Sequence, residues 1–187
     1  ASHVVKQKAG GVPVLDVIEA GARAAVAESP SRAIGVIGTP TTINSNAYAR
    51  RMHALDPNVR VYSQACPLFV PLVEEGWLEH EVTRLTAQEY LRPVLVENVD
   101  SLVLGCTHYP LIKPLLQEVV GPDVRLVDSA ITVAEQAART LSELGIANPG
   151  DSLSTYAYTV TDIPLRFQTI GERFLGRSLG TVEKVDW

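Results

Sequence analysis

Apolar and polar positions follow two alternating patterns along the chain. Short runs rich in β-branched and other apolar residues alternate with longer stretches in which apolar residues recur at helical spacing. The short runs predict strands at residues 12–18, 33–38, 59–64, 101–105, 124–127, 155–160 and 181–185. The longer stretches predict helices at residues 22–28, 45–55, 68–76, 87–96, 111–119, 133–144 and 164–175. This alternation is typical of parallel strands joined by crossover helices, so the sequence predicts an α/β fold.

Two segments rich in turn-forming or small residues interrupt the pattern. Residues 148–152 have the sequence Asn-Pro-Gly-Asp-Ser, which predicts a linker. The Glu-Ala-Gly of residues 19–21 is a candidate hinge between the first predicted strand and the next helix. The βα array between these segments is long enough to form its own sheet, whereas the outer parts, roughly 1–18 and 129–187, hold too few strands to close one.

Composition narrows the classes of function. Net charge is −5, and the 16 lysines and arginines are scattered singly or in pairs, which disfavours direct binding of nucleic acid. No apolar run reaches the roughly 18 residues that cross a bilayer, and the N-terminus lacks the apolar core of a signal peptide. We therefore expect a soluble, cytoplasmic protein without a membrane partner. In that setting its two cysteines, Cys66 and Cys106, are expected to be free thiols.

The strongest local signal surrounds Cys106. An apolar run ends at Gly105, and Cys-Thr-His-Tyr-Pro follows, with Pro110 suited to begin a helix. Cys106 is thus predicted at the carboxyl end of a parallel strand, the edge of the sheet where ligands bind. A helix N-terminus or a protonated imidazole from His108 would favour its thiolate, and His108 could relay a proton. The alternative is a buried structural cysteine with His108 on a surface loop.

A second polar turn follows another predicted strand. Residues 35–45 run from an apolar strand through Gly-Thr-Pro-Thr-Thr into a helix, so hydroxyls and backbone N–H groups converge there. Such a turn suits a carboxylate or phosphate, and Thr39 and Thr42 are the candidate ligands. Simple helix capping by Thr42 or Asn44 explains the same residues and remains open.

Cys66 ends a third predicted strand in apolar company. Nothing near it in the sequence would lower the pKa of its thiol, so we interpret it as a structural cysteine. Glu74, on the helix that follows, is a candidate to orient His108, and a solvated helix end is the alternative. No cysteine has the spacing of a zinc site, so we expect no metal.

These three segments together resemble glutamate racemase, a member of the aspartate/glutamate racemase superfamily. The resemblance rests on Gly-Thr-x-x-Thr-Ile at 38–43, Ala-Cys-Pro-Leu-Phe at 65–69 with Glu-Glu-Gly at 74–76, and above all Gly-Cys-Thr-His-Tyr-Pro at 105–110. It extends to Val-Asp-Ser-Ala at 127–130 and Arg-Phe-Leu-Gly at 173–176. The resemblance implies two pseudo-symmetric parallel-sheet domains, an active site in the cleft between them, and no cofactor.

The resemblance also implies a two-thiol reaction that interconverts L- and D-glutamate for peptidoglycan synthesis in the bacterial cytoplasm. One thiolate removes the α-proton while a thiol on the opposite face delivers another. By this comparison Cys106 is one of the two thiols and His108 assists its proton transfer. Thr107 holds the substrate's amino-acid head group, and Thr39 and Thr42 contact substrate. Glu74, with Glu75 as the alternative, matches an acidic residue near the histidine. The family is often homodimeric.

The family's other landmarks do not occur in these 187 residues. They are an Asp-Ser-Gly loop, a Pro-Tyr-Gly turn and a Cys-Asn-Thr-Ala segment that carries the first thiol. The resemblance therefore predicts that residues 1–18 and 129–187 are parts of an incomplete first domain and that 19–128 form a complete second domain. On this basis we expect little racemisation by the chain alone, because one catalytic thiol is missing.

Other functions remain open at this point. A related racemase acting on aspartate or hydantoins, or a decarboxylase that needs one thiol, would retain Cys106. A cysteine hydrolase would use Cys106 as nucleophile and His108 as base. Some glutamate racemases also bind DNA gyrase, so a non-catalytic interaction role is a further alternative, although no basic or aromatic patch in the sequence supports it.

Overall fold

A computed structural model describes residues 2–150 and 154–186. The chain divides into two compact units, one ending at Ile146 and the other beginning at Ala147. In the first unit the helices are α1 Ser2–Lys8, α2 Val17–Ala27, α3 Pro40–Asn44, α4 Ala47–Leu55, α5 Phe69–Glu74, α6 Glu81–Leu95, α7 Lys113–Val120 and α8 Ser129–Glu143. Its strands are β1 Ala33–Gly38, β2 Arg60–Ala65, β3 Ser101–Gly105 and β4 Arg125–Asp128, and a 3-10 helix spans Tyr109–Ile112.

The four strands form one parallel sheet in the order β2-β1-β3-β4. The inner strand β1 is buried at every position, whereas the edge strand β2 has only exposed and partly buried residues. Helices pack on both faces, with Phe69, Leu91 and Tyr109 among the buried residues of one face and Ala22, Met52 and Val103 among those of the other. The predicted α/β fold with a parallel sheet is confirmed, because parallel strands with both faces covered are the form that βα crossovers produce.

The strand predicted at residues 12–18 is wrong. Residues 12–16 are irregular and α2 begins at Val17, because the Asp16 side chain accepts a hydrogen bond from the Ile18 amide at 2.9 Å and caps the helix. Val12 remains 68% exposed. The candidate hinge at 19–21 is also wrong, since these residues lie inside α2. An apolar run becomes a strand only where a neighbouring strand pairs with it, and among the described residues none pairs with this run.

The second unit contains β5 Tyr158–Val160 and β6 Val182–Lys184, which pair in parallel, and α9 Pro164–Leu175. The linker predicted at residues 148–152 reaches Asp151 and Ser152, which lie outside the described residues. The division of the chain at residues 18 and 128 stays a prediction. Across residues 2–150 and 154–186, none of the helices combines the length and the apolar character that a bilayer span requires.

Candidate active site

The carboxyl ends of β1 and β3 lie side by side at the centre of the sheet. Gly38, the last residue of β1, pairs in register with Gly105, the last residue of β3. The chain leaves β1 towards β2 on one side and reaches β3 on the other, so the strand order reverses between them. In open α/β sheets this reversal creates the crevice in which ligands bind. Thr39 and Cys106 directly follow these two strand ends.

Cys106, His108 and Glu74 form a connected row of polar groups. The Cys106 Sγ atom lies 3.9 Å from His108 Nδ1, within hydrogen-bonding reach of sulfur. On the other side of the ring, His108 Nε2 lies 3.2 Å from Glu74 Oε1. The His108 and Glu74 side chains are only 22% and 21% exposed, so water competes little for this contact. The structure therefore brings together the three residues that the sequence separates by up to 34 positions.

Two opposing effects act on the Cys106 thiol. Burial raises its pKa, and backbone N–H groups of His108 and Tyr109 directed at the sulfur partly offset that rise by stabilising the thiolate. The net pKa is above the ordinary cysteine value. Cys106 is therefore mainly a thiol at neutral pH, and it needs a nearby base to accept its proton before it can act as a thiolate. His108 is the group in position to do so.

The environment of Cys66 differs sharply from that of Cys106. Cys66 is completely buried in the core, and burial raises the pKa of its thiol to about 12. Its sulfur contacts the Gln64 carbonyl oxygen at 3.7 Å. These features fit a structural thiol and disfavour proton exchange with a ligand.

The predicted threonines occupy different surroundings. Thr39 caps α3, because its hydroxyl accepts from the Thr42 amide at 3.3 Å, and the two hydroxyl oxygens are 3.1 Å apart. Thr42 nevertheless adjoins the end of β3, since a methyl group placed on Gly105 would lie 3.6 Å from Thr42 Cγ2. Thr107 is exposed, with its hydroxyl 3.4 Å from His108 Nδ1.

A cavity of about 100 Å³ adjoins Cys106. Its lining includes Tyr48, Thr107, Asp128 and Ser129, and excludes Thr39 and Thr42. The Tyr48 hydroxyl lies 3.1 Å from Ser129 Oγ, a contact between residues 81 positions apart. Sequence reasoning missed Tyr48 entirely, because a tyrosine at a core position of a helix carries no distinguishing signal. The sequence indicated Asp128 and Ser129 only through the resemblance to glutamate racemase.

Gly105 permits the close approach of β1 and β3 beside Cys106, and replacing it tests this packing. In Gly105→Ala the new methyl group would lie 2.7 Å from the Ile37 carbonyl oxygen, so the backbone must shift. We expect a loss of about 1–3 kcal/mol in the free energy of unfolding, measured by urea denaturation. Gly38→Ala is the matched variant, and it should lower the free energy of unfolding by less. The atoms nearest its new methyl group are side-chain atoms of Thr42, at 3.2 Å. Equal costs would contradict this account.

Comparison with known proteins places the chain in a family. Residues 3–137 match the family described as Asp/Glu/hydantoin racemase. The chain belongs to this family. Membership of the Asp/Glu/hydantoin racemase family confirms the family resemblance and is consistent with the parallel α/β sheet.

Individual members of the Asp/Glu/hydantoin racemase family extend the comparison. A glutamate racemase of Syntrophus aciditrophicus is 66% identical over 93% of this chain and 64% of its own length. A glutamate racemase of Neisseria meningitidis serogroup A is 57% identical over 99% of this chain and 68% of its own. The crystal structure of glutamate racemase from Francisella tularensis in complex with D-glutamate matches with a TM-score of 0.90 and 40% identity, over 100% of this chain and 69% of that one. The chain thus spans about two thirds of the length of the family members it matches.

Proposed function

We propose that this chain forms the Cys106 side of a glutamate racemase active site. The observation that carries the proposal is the row of Cys106, His108 and Glu74 at the carboxyl end of β3, where Sγ to Nδ1 measures 3.9 Å and Nε2 to Oε1 measures 3.2 Å. The high identity to glutamate racemases supports glutamate as the substrate. The likeness to a racemase solved with D-glutamate supports it as well.

The proposed reaction needs no net change in atoms or electrons. His108 accepts the Cys106 proton, and the thiolate then removes the α-proton of one glutamate enantiomer. The carbon–hydrogen bond breaks, a sulfur–hydrogen bond forms, and the electron pair stays on the α-carbon and its carboxylate. A second acid delivers a proton to the opposite face of the carbon, which inverts its configuration. The reverse reaction uses the same groups with their roles exchanged.

The neighbouring residues have supporting roles in this proposal. Glu74 orients the His108 ring and stabilises positive charge on it. The exposed hydroxyl of Thr107, which lines the cavity, binds the substrate's head group. Thr39 and Thr42 lie outside this cavity, after the end of β1, and contact substrate there, as the resemblance implies. Preorganised hydrogen-bond donors in such a site stabilise the negative charge that develops on the α-carbon and carboxylate of the substrate.

The opposing acid cannot be Cys66. Its side chain is completely buried within the core, out of contact with a ligand, and its raised pKa disfavours the thiolate that the reverse reaction would require. The chain has two cysteines, so the proposed second thiol lies outside these 187 residues. We extend the proposal to a cytoplasmic homodimer that supplies D-glutamate for peptidoglycan, as the resemblance implies, and sedimentation of the active protein tests the dimer.

A chimera tests the proposed reaction directly. The part of the Neisseria meningitidis racemase that this chain does not match is joined to this chain at the equivalent position. We expect the chimera to convert L-glutamate to D-glutamate without added cofactor, because the join supplies the opposing thiol. The 187-residue chain alone is the control and should form little D-glutamate. A folded chimera that is inactive would refute the proposal, and ordinary turnover by the chain alone would refute the two-thiol mechanism.

A further inference from the structure

Tyr109 is completely buried although it closes the turn that carries Cys106 and His108. Its ring packs edge-on against Phe69, with centroids 5.2 Å apart and an interplanar angle of 89°. Its hydroxyl donates a hydrogen bond of 2.9 Å to the carbonyl oxygen of Cys66. The turn after β3 is therefore tied to the residue that follows β2.

The Cys66 carbonyl marks the start of the segment that carries Glu74. It also accepts a hydrogen bond from the Phe69 amide at 3.3 Å, at the first residue of α5, and Glu74 is the last residue of that helix. The Cys66 amide in turn donates to the Gly38 carbonyl at 2.9 Å, which fixes this point to β1. The beginning of the Glu74 segment is thus held to β1.

The turn after β3 consequently meets the α5 segment at its beginning, where the Tyr109 ring also packs on Phe69, and at its end. The Tyr109 hydroxyl holds its beginning through Cys66, and the His108 ring contacts its end through Glu74. The helix that connects these points, Phe69–Glu74, has six residues and a length of about 9 Å. The hydroxyl bond is directional and fixes the turn relative to the beginning of α5, whereas the packing of the Tyr109 ring on Phe69 is non-directional and would by itself allow His108 to shift relative to Glu74.

We propose that Tyr109 is a positioning residue of the active site, whose hydrogen bond to Cys66 keeps His108 aligned between Glu74 and Cys106. This inference rests on the proposed function, because it assigns Tyr109 an effect on the proton affinity of Cys106. The proposed chain of effects runs from the Tyr109 hydroxyl through the backbone of Cys66 and α5 to Glu74, and from there through His108 to the thiol.

Tyr109 does not act as an acid or base itself. Burial raises the pKa of its phenol far above the ordinary value, and nearby Cys66, Cys106 and Tyr90 raise it further. The hydroxyl therefore remains a neutral donor throughout the pH range in which the thiol titrates. Its influence on chemistry has to pass through the groups that it holds in place.

The substitution Tyr109→Phe isolates this hydrogen bond. It retains the ring and its packing on Phe69, and the Cys66 carbonyl keeps its bond from the Phe69 amide. The variant is expected to fold, because neither partner is left as a buried unpaired group. Tyr90→Phe is the matched control, since Tyr90 also packs edge-on against Phe69, with centroids 5.5 Å apart.

The readout is the rate at which iodoacetamide alkylates Cys106 between pH 6 and 10, followed by mass spectrometry of the cysteine peptides. Only the thiolate reacts, so the midpoint of the pH profile reports the proton affinity of the thiol. Buried Cys66 serves as an internal control, because its alkylation would rise only if the core opened. The assay needs no substrate and therefore uses the 187-residue chain as it is.

We expect Tyr109→Phe to move the Cys106 midpoint upward by about half to one pH unit, which lowers the rate at pH 7 roughly three- to tenfold. Glu74→Gln should move it in the same direction, because the carboxylate stabilises positive charge on the ring from the side opposite the sulfur. The double variant should shift no further than Glu74→Gln alone, because both changes act through one route. Tyr90→Phe should match the unmodified chain.

Three outcomes would overturn the inference. If Glu74→Gln shifts the profile and Tyr109→Phe does not, Tyr109 has no positioning role, and the proposed function stands. If the two shifts add, or if Cys66 alkylation rises with that of Cys106, the hydroxyl acts on general stability instead. If neither variant shifts the profile, His108 does not couple Glu74 to the Cys106 thiol. Both the proposed role of His108 and the inference about Tyr109 are then refuted.

Discussion

Replacement of Cys106 by serine in the chimera should lower kcat for D-glutamate formation by about 10² to 10⁴-fold, the range that a positioned acid or base contributes. Serine is nearly the same size, so substrate binding and KM should change little. The loss arises because an alkoxide is a far less accessible base than a thiolate at neutral pH. Initial rates of D-glutamate formation from L-glutamate, and of L-glutamate formation from D-glutamate, measure the effect.

Hydrogen exchange in deuterated water distinguishes loss of one base from general damage to the site. With two bases on opposite faces, Cys106→Ser disables one face only. One enantiomer should still exchange its α-hydrogen through the opposing base without inverting, and the other should not exchange. Loss of exchange in both enantiomers would indicate a damaged site and would not support the assigned role.

Cys66→Ala is the matched control for this experiment. It removes the other thiol of the chain, which lies in the core with its pKa raised to about 12. Racemisation should stay within a few-fold of the unmodified chimera. Retention of full activity in Cys106→Ser, or an equal loss in both variants, would remove the basis for placing the chemistry at Cys106.

The position of Cys106 was predictable because its determinants are local. An apolar run, a glycine and a proline within a few residues define a strand end and the helical turn after it, and the structure places Gly105 and the 3-10 helix at Tyr109–Ile112 accordingly. Parallel sheets place such ends at one edge. Local sequence therefore indicated both the element and the side of the sheet.

The partners of Cys106 were less predictable because they depend on tertiary contacts. Glu74 meets His108 across 34 positions, and from the residues alone a solvated helix end was an equally good interpretation. Tyr48 meets Ser129 across 81 positions without any local signal. The strand predicted at residues 12–18 failed for a related reason. An apolar run specifies burial only if another element covers it, and there Asp16 began a helix instead.

Truncation of Phe69 to alanine should produce the largest loss of stability among the substitutions considered. Phe69 is completely buried, begins α5, and packs edge-on against both Tyr109 and Tyr90. Removing the ring loses its transfer free energy and leaves a cavity that the surrounding strands and helices cannot fill. We expect the free energy of unfolding to fall by about 3–5 kcal/mol, measured by urea denaturation followed by circular dichroism.

Graded variants make this expectation specific to the ring. Phe69→Leu retains much of the side-chain volume. Its loss in the free energy of unfolding should be less than about half that of Phe69→Ala. Phe167→Ala is the control, because Phe167 is 43% exposed in the second unit and leaves no comparable cavity. Because Phe69 supports both the Tyr109 ring and the start of α5, its truncation should also make Cys66 accessible to alkylation. Equal losses in the free energy of unfolding for Phe69→Ala and Phe167→Ala would show that the packing of Phe69 on Tyr90 and Tyr109 does not hold the site together.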